Sequence, residues 1–214
     1  MDKLKPKISV ITPTIRETGL QTVADGLRNQ VFKDFEWLVD INITDKSDLN
    51  QSLNKLINRA QGELIVCVQD YIRIPSDGLL LFWQAYENNP RGFYTAPVGK
   101  TKDFETVKWD WRIYTDKSDW MRWEIDYGSA PRSALKEIGG FDEKLDEYWG
   151  FDNVNAGLRA EMAGYTFHCL PTNKAFAYDH DAFIEHPFRK LRNPDFHNAR
   201  LDEIRRGLKI DHIK

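Results

Sequence analysis

Asp70 poses a chemical problem as soon as the chain is read. It follows the apolar run Leu64-Ile65-Val66-Cys67-Val68 in the triplet Gln69-Asp70-Tyr71, and a charge at the exit of a buried strand is costly without a partner or ligand. Two other apolar runs end in polar residues. Ile8-Ser9-Val10-Ile11 gives way to Thr12-Pro13-Thr14 and then Glu17, and Phe35 to Val39 gives way to Asp40-Ile41-Asn42. The loop after the first run has one basic residue, Arg16, and neither GxxxxGK[ST] nor GxGxxG, so a P-loop or dinucleotide fingerprint is excluded. If a nucleoside diphosphate binds here, a divalent cation held by Asp70 would neutralise it, since hard cations take oxygen ligands and bring phosphate oxygens with them. Further along, Asp146, Glu147 and Asp152 form an acidic stretch, and His180 lies in Tyr178-Asp179-His180-Asp181. Neutral imidazole is a common metal ligand.

The elements that must position these residues alternate. Leu20, Val23, Ala24 and Leu27 share one helical face, as do Leu49, Leu53, Leu56, Ile57 and Ala60 after a cap at Asp48. Three apolar strands alternating with two amphipathic helices read as βαβαβ: a Rossmann-like, mostly parallel sheet flanked by helices. In such sheets the ligand crevice lies outside the carboxyl ends of the strands, where Thr12 to Glu17, Asp40 with Asn42, and Gln69-Asp70 would sit. A helix is expected from Pro75 to about Asn88. Residues 91 to 127 are aromatic without a sustained period, and Gly128-Ser129-Ala130-Pro131 reads as the lead-in to a short helix at Ser133 to Ile138. Another helix is expected from Asn153 to Ala163, a strand at Thr166 to Leu170, and an amphipathic tail helix carrying Leu201, Ile204 and Leu208.

Composition sets the limits. The chain has 214 residues, of which 41% are hydrophobic and 29% charged, enough for one domain with a packed core. Thirty Lys and Arg against 33 Asp and Glu give a formal charge of -3, which offers no basic field for a nucleic acid polymer. Apolar runs fall far short of the roughly 20 residues of a membrane span, and Met1-Asp2-Lys3 leads into no signal-like segment, so a cytoplasmic protein is expected. Cys67 and Cys169 form no CxxC pair, and Cys67 reads as a small buried hydrophobe.

The order of these motifs resembles the family 2 glycosyltransferases of the GT-A fold, from Ile8 to about His180. The resemblance is carried by Ile8-Ser9-Val10-Ile11-Thr12-Pro13-Thr14, Glu36-Trp37-Leu38-Val39-Asp40, Asn54 with Ala60-Gln61-Gly62-Glu63-Leu64-Ile65, Gly139-Gly140-Phe141-Asp142-Glu143, and Trp149 to Arg159. It implies a nucleotide-sugar donor, a UDP-sugar first, and transfer with inversion to an acceptor that is a glycan, a lipid-linked molecule or a small molecule. Thr12, Pro13, Thr14, Glu17, Asp40 and Asn54, with Asp70, would contact the nucleotide, Asp40 facing the uracil. Asp70 and His180 would hold Mn2+ or Mg2+, while Trp149, Gly128 and Ser129 would shape the acceptor and sugar pockets. Two departures stand out. Gln69-Asp70-Tyr71 replaces the family's Asp-x-Asp, and Asp152-Asn153 replaces its Glu-Asp.

An attacking hydroxyl must lose a proton, so Asp152 is the expected base, with Asp146 and Glu147 in reserve. As a residue just ahead of a helix, Asp152 also fits a capping role. The expected layout is a GT-A domain over 1-187 with a basic helical tail over 188-214, whose Arg189, Lys190, Arg192, Arg205 and Arg206 would allow peripheral membrane contact. The alternatives are nucleotidyl transfer, disfavoured by the glycine- and lysine-poor loop, and a non-catalytic nucleotide- or carbohydrate-binding module derived from a transferase.

Overall fold

The computed structural model describes residues 5–15, 17–42, 48–102, 105–148, 150–178 and 192–213. The first three strands and two helices form where the apolar periods place them: β1 (Ile8–Thr14), α1 (Leu20–Arg28), β2 (Phe35–Ile41), α2 (Leu49–Arg59) and β3 (Leu64–Val68). Next come β4 (Ile72–Arg73), α3 (Gly78–Asn88), β5 (Gly92–Thr95), β6 (Val98–Thr101) and β7 (Lys108–Trp109). The chain then forms β8 (Tyr127–Pro131), α4 (Arg132–Glu137), α5 (Asp152–Met162), β9 (Thr166–Cys169), β10 (Ala175–Tyr178) and α6 (Pro194–Arg205).

The main sheet has the order β2-β1-β3-β8-β5-β9. β1 pairs in parallel with β2, Ile8 opposite Phe35 and Thr14 opposite Ile41, and in parallel with β3, Ile8 opposite Leu64. β8 is antiparallel to both β3 and β5, and β9 is parallel to β5. The expected mostly parallel sheet is therefore present, with one reversed strand at its centre. Gly128 to Pro131 does lead into the expected short helix, α4, but it is itself a strand, which the sequence reading did not anticipate. Small residues without β-branching gave no strand signal, yet all five residues of β8 are buried between two neighbouring strands. The smaller sheet, β4-β10-β6-β7, was not anticipated; all four of its strands lie outside the periodic segments.

Alternation along the strands sorts the core into two layers. Ile11, Ile65, Cys67 and Phe93 face α2, α4 and α5 through Leu53, Leu56, Ile57, Leu135 and Ala156. Val10, Leu64, Val66 and Tyr94 face α1 and α3 through Val23, Leu27, Leu79 and Phe82. Cys67 behaves as the expected buried hydrophobe, its thiol pushed up to about 12 by burial and then by Asp126.

In α6, Leu201 and Ile204 pack on Leu158 of α5, and Arg200 is ion-paired to the fully buried Asp142 at 2.5 Å. The apolar stripe of that helix is thus covered by the rest of the chain. No helix among the described residues is long and apolar enough to cross a membrane.

Candidate functional site

The exits of β1, β2 and β3 are fastened side by side. Asn42 N donates to Thr14 O at 2.8 Å, and Thr14 Oγ1 donates to Asp70 Oδ2 at 2.6 Å. Asp70 is buried, and the turn at Glu17–Gly19 closes over it. A Cβ at Gly19 would lie 2.5 Å from Asp70 O, so only glycine allows this approach. Pro13 is half-buried and Glu17 exposed at the rim. Asp40, at the end of β2, is half-buried, but its Oδ2 is shielded from solvent and has no hydrogen-bond partner. An orphaned carboxylate oxygen at a strand exit costs free energy that a ligand N–H would recover.

Two expected contacts, Thr12 and Asn54, make other hydrogen bonds. Thr12 is fully buried, and its hydroxyl accepts from Trp37 Nε1 at 3.0 Å, so it anchors β2 to β1. Asn54, in the buried middle of α2, accepts from Phe141 N at 2.8 Å and donates to Phe141 O and Glu143 Oε1, both at 2.9 Å. Its amide is spent on the turn before Glu143 rather than on a nucleotide. Gly128 and Ser129 lie inside the sheet, opposite Cys67 and Val66 of β3. A Cβ at Gly128 would sit 2.2 Å from Glu124 O, which explains the glycine by close packing.

The opposite wall starts at α5. Asp152 is its first residue, preceded by Phe151 at φ 69°, the left-handed region that a bulky side chain enters only under strain. Asn50, at the start of α2, donates through Nδ2 to Asp152 Oδ1 at 2.6 Å and to Asp146 Oδ1 at 2.9 Å. Asp146 also accepts from Asn50 N and Gln51 N at 2.8 and 3.1 Å, capping α2 from a distance. Burial raises the Asp146 carboxyl above its ordinary value, against those hydrogen bonds. Glu147 is exposed. Trp149 and His180 lie outside the described residues.

On the same side, at the entry to β8, lies a charge cluster that the sequence reading did not single out. Arg112 is 3% exposed and uses all five of its N–H donors. Nε and Nη2 donate to Asp110 Oδ2 at 2.9 and 2.6 Å. Nη1 and Nη2 donate to Asp126 at 2.7 and 2.9 Å, and Nη1 also reaches Thr95 Oγ1 at 3.0 Å. Burial opposes the guanidinium charge, but Asp126 and Asp110 more than offset it and raise its value. Glu124, half-buried beside this hub, is pushed up to about 7, first by burial, then by Asp126 and Asp110 against the opposing pull of Arg112. Tyr71, next to Asp70, is also raised, by burial and then by Asp126, Asp70 and Glu124. The sequence signal was there: Glu124 and Asp126 are carboxylates abutting a buried strand, as Asp70 is, but that strand went unread.

Among the described residues, no three His, Cys, Asp or Glu converge where they could hold a metal ion. Asp70 is a single carboxylate of such a site, and His180, its expected partner, lies outside the described residues.

No protein-family model matches the sequence, and no curated relative does. Solved structures match the fold. S. aureus TarS in complex with UDP-GlcNAc aligns with a TM-score of 0.68 at 14% identity, over 91% of this chain and 64% of that one. TarS in complex with UDP aligns at 0.62 and 15% identity, over 80% and 60%. The mannosyltransferase PcManGT from Pyrobaculum calidifontis, in complex with GDP-Man and Mn2+, aligns at 0.62 and 16% identity, over 84% and 59%. The chain spans about three fifths of the length of these structures. Its architecture is a GT-A-like glycosyltransferase fold.

Proposed function

We propose that this chain is a glycosyltransferase of the family 2 type that moves a sugar from a nucleotide-sugar donor, a UDP-sugar first, to an acceptor hydroxyl with inversion. The observation that carries this reading is the orphaned Oδ2 of Asp40 at the end of β2. It stands on the strand edge where open α/β sheets take their ligands, and a uracil N3–H is a donor of the right kind. In this reading Thr14 and Asp70 line the ribose and diphosphate, with Pro13 and Glu17 at the rim. Trp149 would contact the acceptor. Mn2+ or Mg2+ would serve as a counter-ion of the diphosphate, with Asp70 and His180 as its expected protein ligands. The acceptor proton passes to a carboxylate of the opposite wall.

The test is thermal unfolding against UDP, GDP, CDP and dTDP, each with and without Mn2+. A ligand bound only by the folded state at about 100 times its Kd adds about 2.7 kcal/mol. A selective rise with UDP is the expected result, and no rise with any diphosphate at millimolar concentration would overturn the reading. Asn153, an amide beside Asp152, favours a second reading as a nucleotide-sugar-binding module without turnover. Consumption of donor separates the two.

A further inference from the structure

Glu124 stands on the same sheet edge as Asp70. Because β8 is antiparallel to β3, with Val68 opposite Tyr127 and Gln69 N bonded to Asp126 O at 3.0 Å, the chain entering β8 passes beside Gln69-Asp70-Tyr71. Three carboxylates share this corner: Asp110, Asp126 and Glu124. Arg112 compensates the first two with every donor it has, and among the described residues Glu124 has no ion-pair partner. The donor that reaches it is Asn153 Nδ2, at 3.4 Å from Oε2, an amide that also donates to Trp123 O. Asp152 and Asp146 on the same wall are tied to Asn50.

Resting on the glycosyl-transfer reading, we propose that Glu124 is the proton acceptor for the incoming hydroxyl, with Asn153 positioning its carboxylate. The acceptor oxygen forms a bond to the anomeric carbon as its proton passes to a Glu124 oxygen. The bond from that carbon to the nucleoside diphosphate breaks, and the electron pair leaves on the phosphate oxygen. Glu124 then returns the proton to solvent. An amide at 153 supports this arrangement, because a second carboxylate there would compete for the proton and repel the first.

The groups facing Glu124 are Asp126 and Asp110, which favour its neutral form, Arg112, which opposes them, Tyr71, and the non-titrating Asn153. With burial they bring the carboxyl to about 7, where a general base is most effective at neutral pH. The folded value is raised above the unfolded one. Glu124 therefore contributes stability that is complete below about 4.5 and is lost as pH rises through about 7. E124Q keeps the shape without the charge, so it should unfold at a higher temperature than wild type above pH 7.

The experiment measures release of the nucleoside diphosphate from UDP-GlcNAc, UDP-glucose and GDP-Man with water as acceptor, as a function of pH. Wild-type turnover is expected to rise through a midpoint near neutrality. E124Q is expected to lose about 10²- to 10⁴-fold in kcat with unchanged UDP affinity. Asn153→Asp should move the midpoint upward. If wild type turns over a donor and E124Q keeps pace within about tenfold, or the midpoint ignores both Glu124 and Asn153, the assignment of Glu124 falls and the transfer reading stands. If wild type consumes none of the three donors, the transfer reading falls and this assignment with it.

Discussion

The two walls of the crevice hold their carboxylates by different means. On the side of β1, β2 and β3, Asp70 accepts from a neutral hydroxyl and Asp40 keeps one oxygen with no donor. On the side of β8 and α5, Asp110 and Asp126 are locked to Arg112, and Asp142 is locked to Arg200. A neutral donor orients a carboxylate and leaves it capacity for a ligand. A buried guanidinium consumes that capacity and fixes the chain instead. The guanidiniums fix the shape of the second wall, where Asn50 holds Asp146 and Asp152 through a neutral amide and Glu124 has no ion-pair partner among the described residues.

The largest effect expected from this difference is on stability. Arg112→Met removes the cation between two partly buried carboxylates, and leaving such charges without a partner costs about 3 kcal/mol or more. Urea denaturation should show that loss, and Asp126→Asn in the same chain should recover part of it, since the two changes act on one network. A loss below about 1 kcal/mol would mean that the hub behaves like a surface ion pair, and the contrast between the walls would collapse.

On the binding wall a charge change should act in the opposite way. Asp40→Asn removes a charge whose oxygen has no protein donor, so its effect on stability should be near zero or favourable. The amide can still offer an oxygen to a uracil, but without the charge assistance that roughly doubles such a bond. UDP affinity, measured calorimetrically, should fall by about tenfold, or about 1.4 kcal/mol. A stability loss with unchanged UDP affinity would make Asp40 a structural residue and remove the observation on which the functional reading rests.

How legible each wall was in the sequence follows from the same physics. β1, β2 and β3 are apolar runs ending in polar residues, so both the sheet and the positions of Thr14, Asp40 and Asp70 could be read from periodicity. β8 is Tyr-Gly-Ser-Ala-Pro, a strand buried by its neighbours rather than by its own side chains, and nothing local announces it. Missing that strand hid the meaning of Glu124 and Asp126, and it left Gly128 and Ser129 unrecognised as strand residues. Arg112 and its partners are brought together from three separate stretches, which spacing along a chain does not reveal. Asn54 was misplaced for a related reason. Its resemblance to a nucleotide contact is one of sequence position, while its amide is fully used by Phe141 and Glu143.

The finest test of the comparison lies within β1, where two threonines two residues apart are put to different uses. Thr12 accepts from Trp37 Nε1, and Thr14 donates to Asp70. Replacing either by Val keeps the strand and deletes one hydrogen bond, at about 1 kcal/mol of stability each. The cost at Thr14 belongs at the low end, because Asp70 has further interactions. The separation should appear in binding. Thr14→Val removes the hydroxyl that helps to orient the Asp70 carboxylate and should weaken UDP several-fold, in step with about 1 kcal/mol. Thr12→Val leaves the Trp37 indole without its acceptor, a loss confined to the contact between β1 and β2, and should leave UDP affinity unchanged. Equal losses of affinity in both variants would show that the strand edge responds as one elastic unit. In that case the hydroxyl of Thr14 would not be orienting Asp70 toward a ligand.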